Sequence, residues 1–318
     1  MRMLEKSFPP TDVQVPDALR SPPKMPYPAF KAMMRVALPK IRAAMGGSPR
    51  DITTQPIDAT LHSVPGYRGD VPVRAYRPAD ARGALPLFCF FHGGGWVGGS
   101  AAATEPFCRA VAERAACVVV NVDYHLCPEH PYPHGLEDCY AAARWAAHAP
   151  ALGVDPARVA VGGDSAGGNL AAAVTLLARE RGDLPLAKQV LLYPAVTLEN
   201  LPSPLGGDFG AFGRLLADWY AGGAAAAAQP TVSPLNASSL AGLPQALVVL
   251  AALDGLCAQG EQYARRLAEA GVDAACVRYL NTQHAFLDRL GTQPAAEDAV
   301  NEVAAFLRAD WASSQFQT

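Results

Sequence analysis

Gly163-Asp164-Ser165-Ala166-Gly167 has the pattern G-x-S-x-G, and its place in the chain is the strongest indication of the fold. The pentapeptide directly follows an apolar run with strand character, residues 158–162, and opens into residues 169–180, which have helical composition and length. A serine on such a tight strand-to-helix turn is held in a strained backbone conformation, and the flanking glycines let the chain bend without Cβ clashes. The pattern therefore predicts that Ser165 is a nucleophile whose hydroxyl stands clear of a sheet.

The composition is that of a globular protein with a substantial core, since 50% of the 318 residues are hydrophobic and 17% are charged. A net charge of −3 does not indicate nucleic acid or an anionic membrane as a partner. The seven cysteines include no C-x-x-C pair, so we expect buried thiols in a reducing compartment and neither disulfides nor a metal site. The chain shows no signal peptide and no apolar run long enough to span a bilayer, which favours a cytoplasmic protein.

Alternation of apolar runs with helical segments predicts the fold class. The apolar runs are typical of strands buried on both faces, so we expect an α/β fold with a mostly parallel central sheet and helices on both faces. A hairpin, 57–64 with 71–77, and an amphipathic helix at 29–45 precede this pattern. Strands are predicted at 86–91, 117–122, 158–162, 188–193, 245–252 and 274–280, and helices at 104–115, 135–148, 166–181, 256–271 and 294–309.

One connection interrupts the alternation. About fifty residues without a strand separate the runs at 188–193 and 245–252, which is too long for an idle connection in a compact domain. We therefore expect an inserted cap or lid over a site, at about 198–235. Candidate pocket aromatics are Trp96, Phe209, Phe212, Trp219 and Tyr220, and core packing is an equal alternative for each of them.

A serine nucleophile needs a base and an acid, and the strand ends supply candidates for both. Asp254 and His284 each follow a predicted strand, and the carboxyl ends of parallel strands meet at one edge of a sheet. The chain order Ser165, Asp254, His284 is the order of a Ser-Asp-His triad on an α/β-hydrolase sheet. Asp288 is the alternative acid. Asp164 is expected to point away from Ser165 and to support the site.

The glycines after the strand at 86–91 predict an oxyanion hole. In His92-Gly-Gly-Gly-Trp96 the backbone can approach a substrate oxygen closely, so we expect the amides of Gly93 and Gly94 to act with that of Ala166. The same loop matches the dinucleotide pattern G-x-G-x-x-G from Gly93 to Gly98. A dinucleotide-binding loop would assign no function to Ser165.

At these residues the chain resembles the hormone-sensitive-lipase-like branch of the α/β-hydrolases, the bacterial family IV esterases. Three blocks carry the resemblance: residues 92–96 (HGGGW), residues 123–133 (DYHLCPEHPYP) with 136–138 (LED), and residues 163–168 (GDSAGG). Residues 233–234 (SP) and 242–244 (GLP) are similar to the family's approach to the acid strand. The resemblance extends over residues 55–310, and three separate blocks in order make it specific.

The resemblance implies an enzyme and a division of the chain. It implies a carboxylic ester hydrolase for small, short-acyl esters that needs no cofactor, with Ser165, Asp254 and His284 as the triad. It also implies a cap built from residues 1–50 and the insertion, on a catalytic domain of residues 51–318. The supporting residues that it implies are His92, Glu129 and Asn169. A homodimer is left open.

The chain departs from the family pattern at three places. Residues 254–260 read Asp-Gly-Leu-Cys-Ala-Gln-Gly where the family continues with Pro-Leu, Ala285 replaces the glycine of His-Gly-Phe, and His125 replaces an arginine. Hydrolysis of amides, formamides, lactones or acetylated sugars would use the same residues, and a non-catalytic small-molecule receptor of the same fold is the alternative from another class.

Overall fold

The computed structural model describes residues 1–10, 25–45, 49–199 and 210–311. Among them the strands are β1 (Arg2–Lys6), β2 (Ile57–Pro65), β3 (Asp70–Pro78), β4 (Leu85–Phe91), β5 (Val118–Val122), β6 (Val154–Asp164), β7 (Lys188–Leu192), β8 (Gln245–Ala251) and β9 (Ala274–Tyr279). The helices are α1 (Tyr27–Ala44), α2 (Glu105–Ala115), α3 (His134–His148), α4 (Ala166–Arg181), α5 (Gly210–Ala221), α6 (Ala224–Ala227), α7 (Cys257–Glu269) and α8 (Pro294–Arg308). The hairpin and the six later strands predicted from the sequence are confirmed.

The strands form one sheet in the order β1-β9-β8-β7-β6-β4-β5-β3-β2. The pairs β2–β3 and β3–β5 are antiparallel, and the other neighbouring strands are parallel. The carboxyl ends of β6, β8 and β9 therefore lie at one edge of the sheet, where the residues that follow them can meet.

Helices cover both faces of the sheet, as the apolar runs predict. Successive residues of β4 alternate between two cores: Leu87 and Cys89 lie in one, Phe88 and Phe90 in the other. Helices α3, α4 and α7 pack on the first core, and α2 and α8 on the second. All seven cysteines are free thiols. Six of them are buried, and Cys257 is half-buried. None of the helices in the described ranges is both long and apolar enough to traverse a bilayer.

Strand β1 was not predicted. It pairs in parallel with β9, from Arg2 opposite Ala275 to Lys6 opposite Tyr279, and so extends the sheet at its edge. The ammonium group of Lys6 holds it there by contacts of 2.6 Å to both Asp298 and Glu302 of α8. Residues 2–6, which the sequence assigned to a cap segment, thus lie in the sheet. Three of its five residues are charged and four are exposed, so no alternation of apolar and polar residues indicates the strand in the sequence.

Helix α1 packs against α5 of the insertion. Phe30, Met34 and Leu38 recur every fourth residue and lie buried in the same core as Leu215 and Trp219 of α5. A hydrogen bond of 2.6 Å from the Tyr27 hydroxyl to Asp218 Oδ2 adds a polar contact between the two helices.

Candidate active site

Ser165 lies between β6 and α4 in a strained conformation. Its φ of 54° and ψ of −114° are outside the regions that an L-residue ordinarily adopts, at a cost of about 1–3 kcal/mol. The Ser165 amide donates to Leu192 O (2.8 Å), and the amides of Asn169 and Ala195 both donate to Ser165 O. These bonds to β7, α4 and the segment after β7 hold the turn in place.

Two glycines make this turn possible. A Cβ atom on Gly167 would lie 1.9 Å from Phe91 O, and one on Gly163 would lie 2.4 Å from the carbonyl carbon of Gly167. No side chain fits at either position, because real Cβ atoms do not approach backbone so closely. The glycines of the G-x-S-x-G pattern therefore let β4, β6 and the start of α4 pack in contact.

Residues after β8 and β9 complete a hydrogen-bonded chain to Ser165. Ser165 Oγ lies 2.8 Å from His284 Nε2, and His284 Nδ1 lies 2.7 Å from Asp254 Oδ2. The Leu256 amide donates to the other oxygen of Asp254 at 2.8 Å, which fixes the carboxylate. Asp254 and His284 are 6% and 7% exposed, so water competes little for these bonds. The structure thus brings together the three side chains that the sequence singled out.

Charges around the imidazole favour its protonated form. Burial by itself lowers the pKa of His284, but the adjacent Asp254 carboxylate, and beyond it Asp164 and Asp288, raise this pKa above its usual value. Tyr193 packs edge-on against the imidazole, with 5.1 Å between ring centroids, and restricts its rotation. The imidazole is thus held with Nε2 facing Ser165 Oγ.

The first glycine of the loop after β4 is not available to a substrate. The Gly93 amide donates to Asp164 Oδ1 at 2.7 Å, which corrects the expectation that it forms part of the oxyanion hole. The amides of Gly94 and Gly95 have no acceptor among the described residues. Ala166 is the first residue of α4, where a helix leaves its N–H groups unpaired. Within the part of the chain that the structure describes, the amides left without an acceptor are therefore those of Gly94, Gly95 and Ala166.

Asp164 anchors this loop from a buried position. It is 8% exposed, and burial, together with the charge of Asp288, raises the pKa of Asp164 to about 7. Its carboxylate faces Gly93 and not the Ser165 hydroxyl, in agreement with the supporting position expected for it. Asp288 lies near Asp164 on the wall of a small cavity, whereas Nδ1 of His284 faces Asp254.

The three residues expected to support the site brace different parts of it. His92 stacks on Tyr124 with 4.4 Å between ring centroids, and the Tyr124 hydroxyl donates to His92 O at 2.7 Å. Asn169 donates to Ala195 O and Val232 O at 2.7 and 2.9 Å and so ties α4 to the insertion. Glu129 pairs with Arg42 of α1 at 2.6 Å.

Arg42 is a bracing residue that the sequence did not reveal. Besides Glu129, its guanidinium donates to Val97 O (2.6 Å) and Cys127 O (2.7 Å), so it joins α1 to the glycine loop and to the segment after β5. Helix α1 contains two arginines, Arg35 and Arg42, and no pattern in a single sequence distinguishes one from the other. Only the packing of α1 identifies it.

The candidate pocket aromatics are mostly packed side chains. Trp96 is buried and stacks on Tyr220 with 4.6 Å between ring centroids and 12° between planes. Trp219 is also buried, and Phe212 is half-buried against the same core. Phe209 lies outside the described residues. These positions agree with the packing alternative that the sequence left open.

The surroundings of the glycine loop exclude the dinucleotide fingerprint. That fingerprint requires a helix to start at the loop, whereas bends and turns follow Gly98 and α2 begins only at Glu105. Asp123, which would bind a ribose, instead accepts a hydrogen bond from the Ala101 amide at 2.6 Å.

The comparisons with known proteins agree with this fold and site. The model of a family described by the alpha/beta hydrolase fold matches residues 88–288. The carboxylic ester hydrolase LipN of Mycobacterium tuberculosis is 41% identical over 268 residues, which are 80% of this chain and 70% of that protein. The carboxylesterase NlhH of the same organism is 40% identical over 256 residues, 76% of this chain and 80% of that protein.

A solved structure gives the same result in three dimensions. The hyperthermophilic esterase from the archaeon Pyrobaculum calidifontis superposes with a TM-score of 0.77 at 35% sequence identity, over 92% of this chain and 94% of that one. The predicted fold and family are confirmed, and the relatives carry the names of the enzyme class that the sequence predicted. The chain therefore belongs to the α/β-hydrolase family, in its hormone-sensitive-lipase-like branch of carboxylesterases.

Proposed function

We propose that this protein is a serine carboxylic ester hydrolase that cleaves small esters through an acyl-enzyme on Ser165. The observation that carries the proposal is the hydrogen-bonded chain from Ser165 Oγ through His284 to Asp254, with contacts of 2.8 and 2.7 Å. A neutral imidazole that donates from Nδ1 to a carboxylate has Nε2 free to accept a proton.

In the acylation step, Ser165 Oγ attacks the ester carbonyl carbon while His284 Nε2 takes the hydroxyl proton. The resulting imidazolium is stabilised by Asp254, which is buried beside it. The tetrahedral intermediate then expels the alcohol, and His284 returns the proton to the leaving oxygen. The products of this half-reaction are the free alcohol and an ester bond between the acyl group and Ser165.

In the deacylation step, a water molecule attacks the acyl carbon and gives its proton to His284, which passes it to Ser165 as the carboxylic acid leaves. Both tetrahedral intermediates place a negative charge on the former carbonyl oxygen. We assign its stabilisation to the free amides of Gly94, Gly95 and Ala166, since Gly93 donates to Asp164. One such donor contributes on the order of 3 kcal/mol.

The substrate proposed is an ester with a short acyl group, beneath a cap formed by α1 and α5. The approach of α5 supports this limit, because a Cβ atom on Gly95 would lie 3.0 Å from the Leu216 side chain. The stacking of Trp96 on Tyr220 closes the same region. The contacts of Tyr27 and Lys31 with Asp218 support α1 and α5 as one unit.

The test compares Ser165→Ala with Ser238→Ala, which alters an exposed serine. Purified proteins are assayed with p-nitrophenyl acetate, butyrate, octanoate and palmitate, and are treated with a fluorophosphonate that labels activated serines. We expect Ser165→Ala to lose at least about 10⁴-fold in kcat and all labelling, with Ser238→Ala unchanged. Turnover should be fastest on acetate or butyrate.

Each of three results would contradict a different part of the proposal. Activity of Ser165→Ala near that of the wild type removes the nucleophile. Absence of stoichiometric labelling in the wild type indicates a binding protein of this fold. Fastest turnover of palmitate leaves the mechanism in place and removes the limit to short acyl groups.

A further inference from the structure

Three histidines form a cluster outside the active site. His125 and His130 lie in the segment between β5 and α3, and His134 is the first residue of α3. Their imidazole rings contact one another, with 4.6–4.7 Å between centroids in all three pairs. Asp138, one turn further along α3, lies against them. The hydrolytic mechanism uses none of these four side chains.

His134 has a buried nitrogen that lacks a partner. The residue is 8% exposed, and its Nε2 has no hydrogen-bond partner among the described residues. Leaving such a group unsatisfied costs about 1–3 kcal/mol, and a ligand at this nitrogen would remove that cost.

Asp138 and His125 are already paired beside it. His125 Nδ1 lies 2.7 Å from Asp138 Oδ2, and the carboxylate side chain is fully buried. The amides of His125 and Tyr67 donate to the two carboxylate oxygens at 3.1 and 3.0 Å, which fix its orientation. Each carboxylate oxygen has a second lone pair. The His125 side chain is 27% exposed and thus leaves a route from solvent.

We propose that His125, His134 and Asp138 form a binding site for one divalent transition-metal ion of the zinc type. One ligand atom from each residue lies within 4.8 Å of the other two. Ligand atoms of a tetrahedral zinc site are about 3.3 Å apart, so small rotations of the three side chains complete the site. Two imidazoles and a carboxylate are a donor set that zinc accepts, with water as the fourth ligand.

The position of the site indicates a structural role for the ion. Asp138 already joins α3 to the β2–β3 turn through Tyr67 and to the segment after β5 through His125, and an ion would tie His134 to these same groups. The preceding residue, Tyr124, supports His92 at the start of the glycine loop. Metal binding therefore stabilises the connection between this turn, the segment after β5 and α3. Hydrolysis itself needs no ion in this arrangement.

The difference from the family pattern at position 125 suggests a variant that tests the metal site. The family pattern has arginine where this chain has His125, so His125→Arg is expected to fold and to pair with Asp138 as an ion pair. A guanidinium does not bind metal, since it has no free acceptor. His134→Ala removes a second ligand. His148→Ala removes an exposed histidine outside the cluster and is the matched control.

The experiment uses chelator-treated protein without a histidine tag. Zn²⁺ binding is measured by titration calorimetry and thermal unfolding, and Co²⁺ by its visible absorption. We expect one ion per chain, a tetrahedral Co²⁺ spectrum and a rise in Tm. His125→Arg and His134→Ala should each weaken binding by at least about 100-fold, while His148→Ala binds as the wild type.

Three outcomes would overturn the site: no Zn²⁺ or Co²⁺ binding to the wild type, equal binding by all variants, or a Co²⁺ spectrum with thiolate charge-transfer bands. The second means that the ion binds elsewhere, and the third that cysteines hold it. Esterase activity of His125→Arg checks that this variant is folded.

Discussion

His284 Nδ1 lies 2.7 Å from Asp254 Oδ2, while Asp288, the other candidate acid, lines a small cavity together with Asp164. The carboxylate at Nδ1 holds the proton of the neutral imidazole on that nitrogen and leaves Nε2 to face Ser165. This relationship identifies Asp254 as the carboxylate that orients the proposed base, and it leads to the first prediction.

Replacing Asp254 by Asn is expected to reduce kcat by about 10⁴-fold, because the amide favours the tautomer with its proton on Nε2. Asp288→Asn is the matched control and should stay within about tenfold of the wild type, since the carboxylate hydrogen-bonded to Nδ1 is that of Asp254. Initial rates on p-nitrophenyl butyrate measure both. A larger loss in the Asp288 variant would reverse the assignment.

The pH profile of kcat/KM should follow the protonation of His284. The base acts when neutral, so activity rises with pH through its pKa, which nearby carboxylates raise above the ordinary value of about 6.5. Asp288→Asn removes one of these charges and should move the midpoint to lower pH. A profile that stays level between about pH 5 and pH 9 is incompatible with a histidine base, whose ordinary pKa is about 6.5.

Gly94→Ala should inactivate the enzyme by distorting the oxyanion loop. Gly94 has a φ of 118°, and a Cβ atom there would lie 2.2 Å from Gly98 O, so the loop must shift. We expect kcat to fall on the order of 10²-fold or more. Gly83→Ala shares a positive φ but has no atom within 4 Å of the added methyl group, so it measures backbone strain alone. Equal losses in both variants would mean that the loop geometry does not matter.

Asp164 should make the protein less stable as the pH rises from about 4 to about 7. The pKa of Asp164 is about 7 in the folded protein and about 3.9 in an unfolded chain, so between these values the folded state holds the extra proton. Stability therefore falls as pH increases over that range, by up to about 4 kcal/mol at pH 8.

The Asp164→Asn variant tests this dependence, because an amide oxygen still accepts the Gly93 amide and carries no charge. Its Tm relative to the wild type should be higher at pH 8 than at pH 5, as measured by thermal unfolding in matched buffers. Asp155→Asn, which alters an acid paired with Arg158 at the far end of β6, is the control. A Tm difference that does not change with pH would mean that Asp164 is ionised throughout.

Local patterns in the sequence were sufficient to predict most of the strands and helices and the edge of the sheet that carries the site. Apolar runs of strand length, helical segments between them and glycines around Ser165 are properties of neighbouring residues, and each acts through short-range sterics or burial. They predicted β2 to β9, the helices on both faces and the edge of the sheet at which Ser165, Asp254 and His284 meet. The chain order of these three residues matched that of an α/β-hydrolase triad, which their spacing alone does not indicate.

The tertiary structure decided features that depend on which distant groups meet. Asp164 accepts a hydrogen bond from the Gly93 amide, which leaves the amides of Gly94 and Gly95 as the proposed oxyanion donors, and no pattern within the loop distinguishes these amides. The pairing of β1 with β9 joins residues more than 270 positions apart in a strand without an apolar face. The contact of His134 with His125 likewise depends on how α3 docks. Hydrogen bonds and buried charges of this kind arise from packing, and packing is a property of the whole fold.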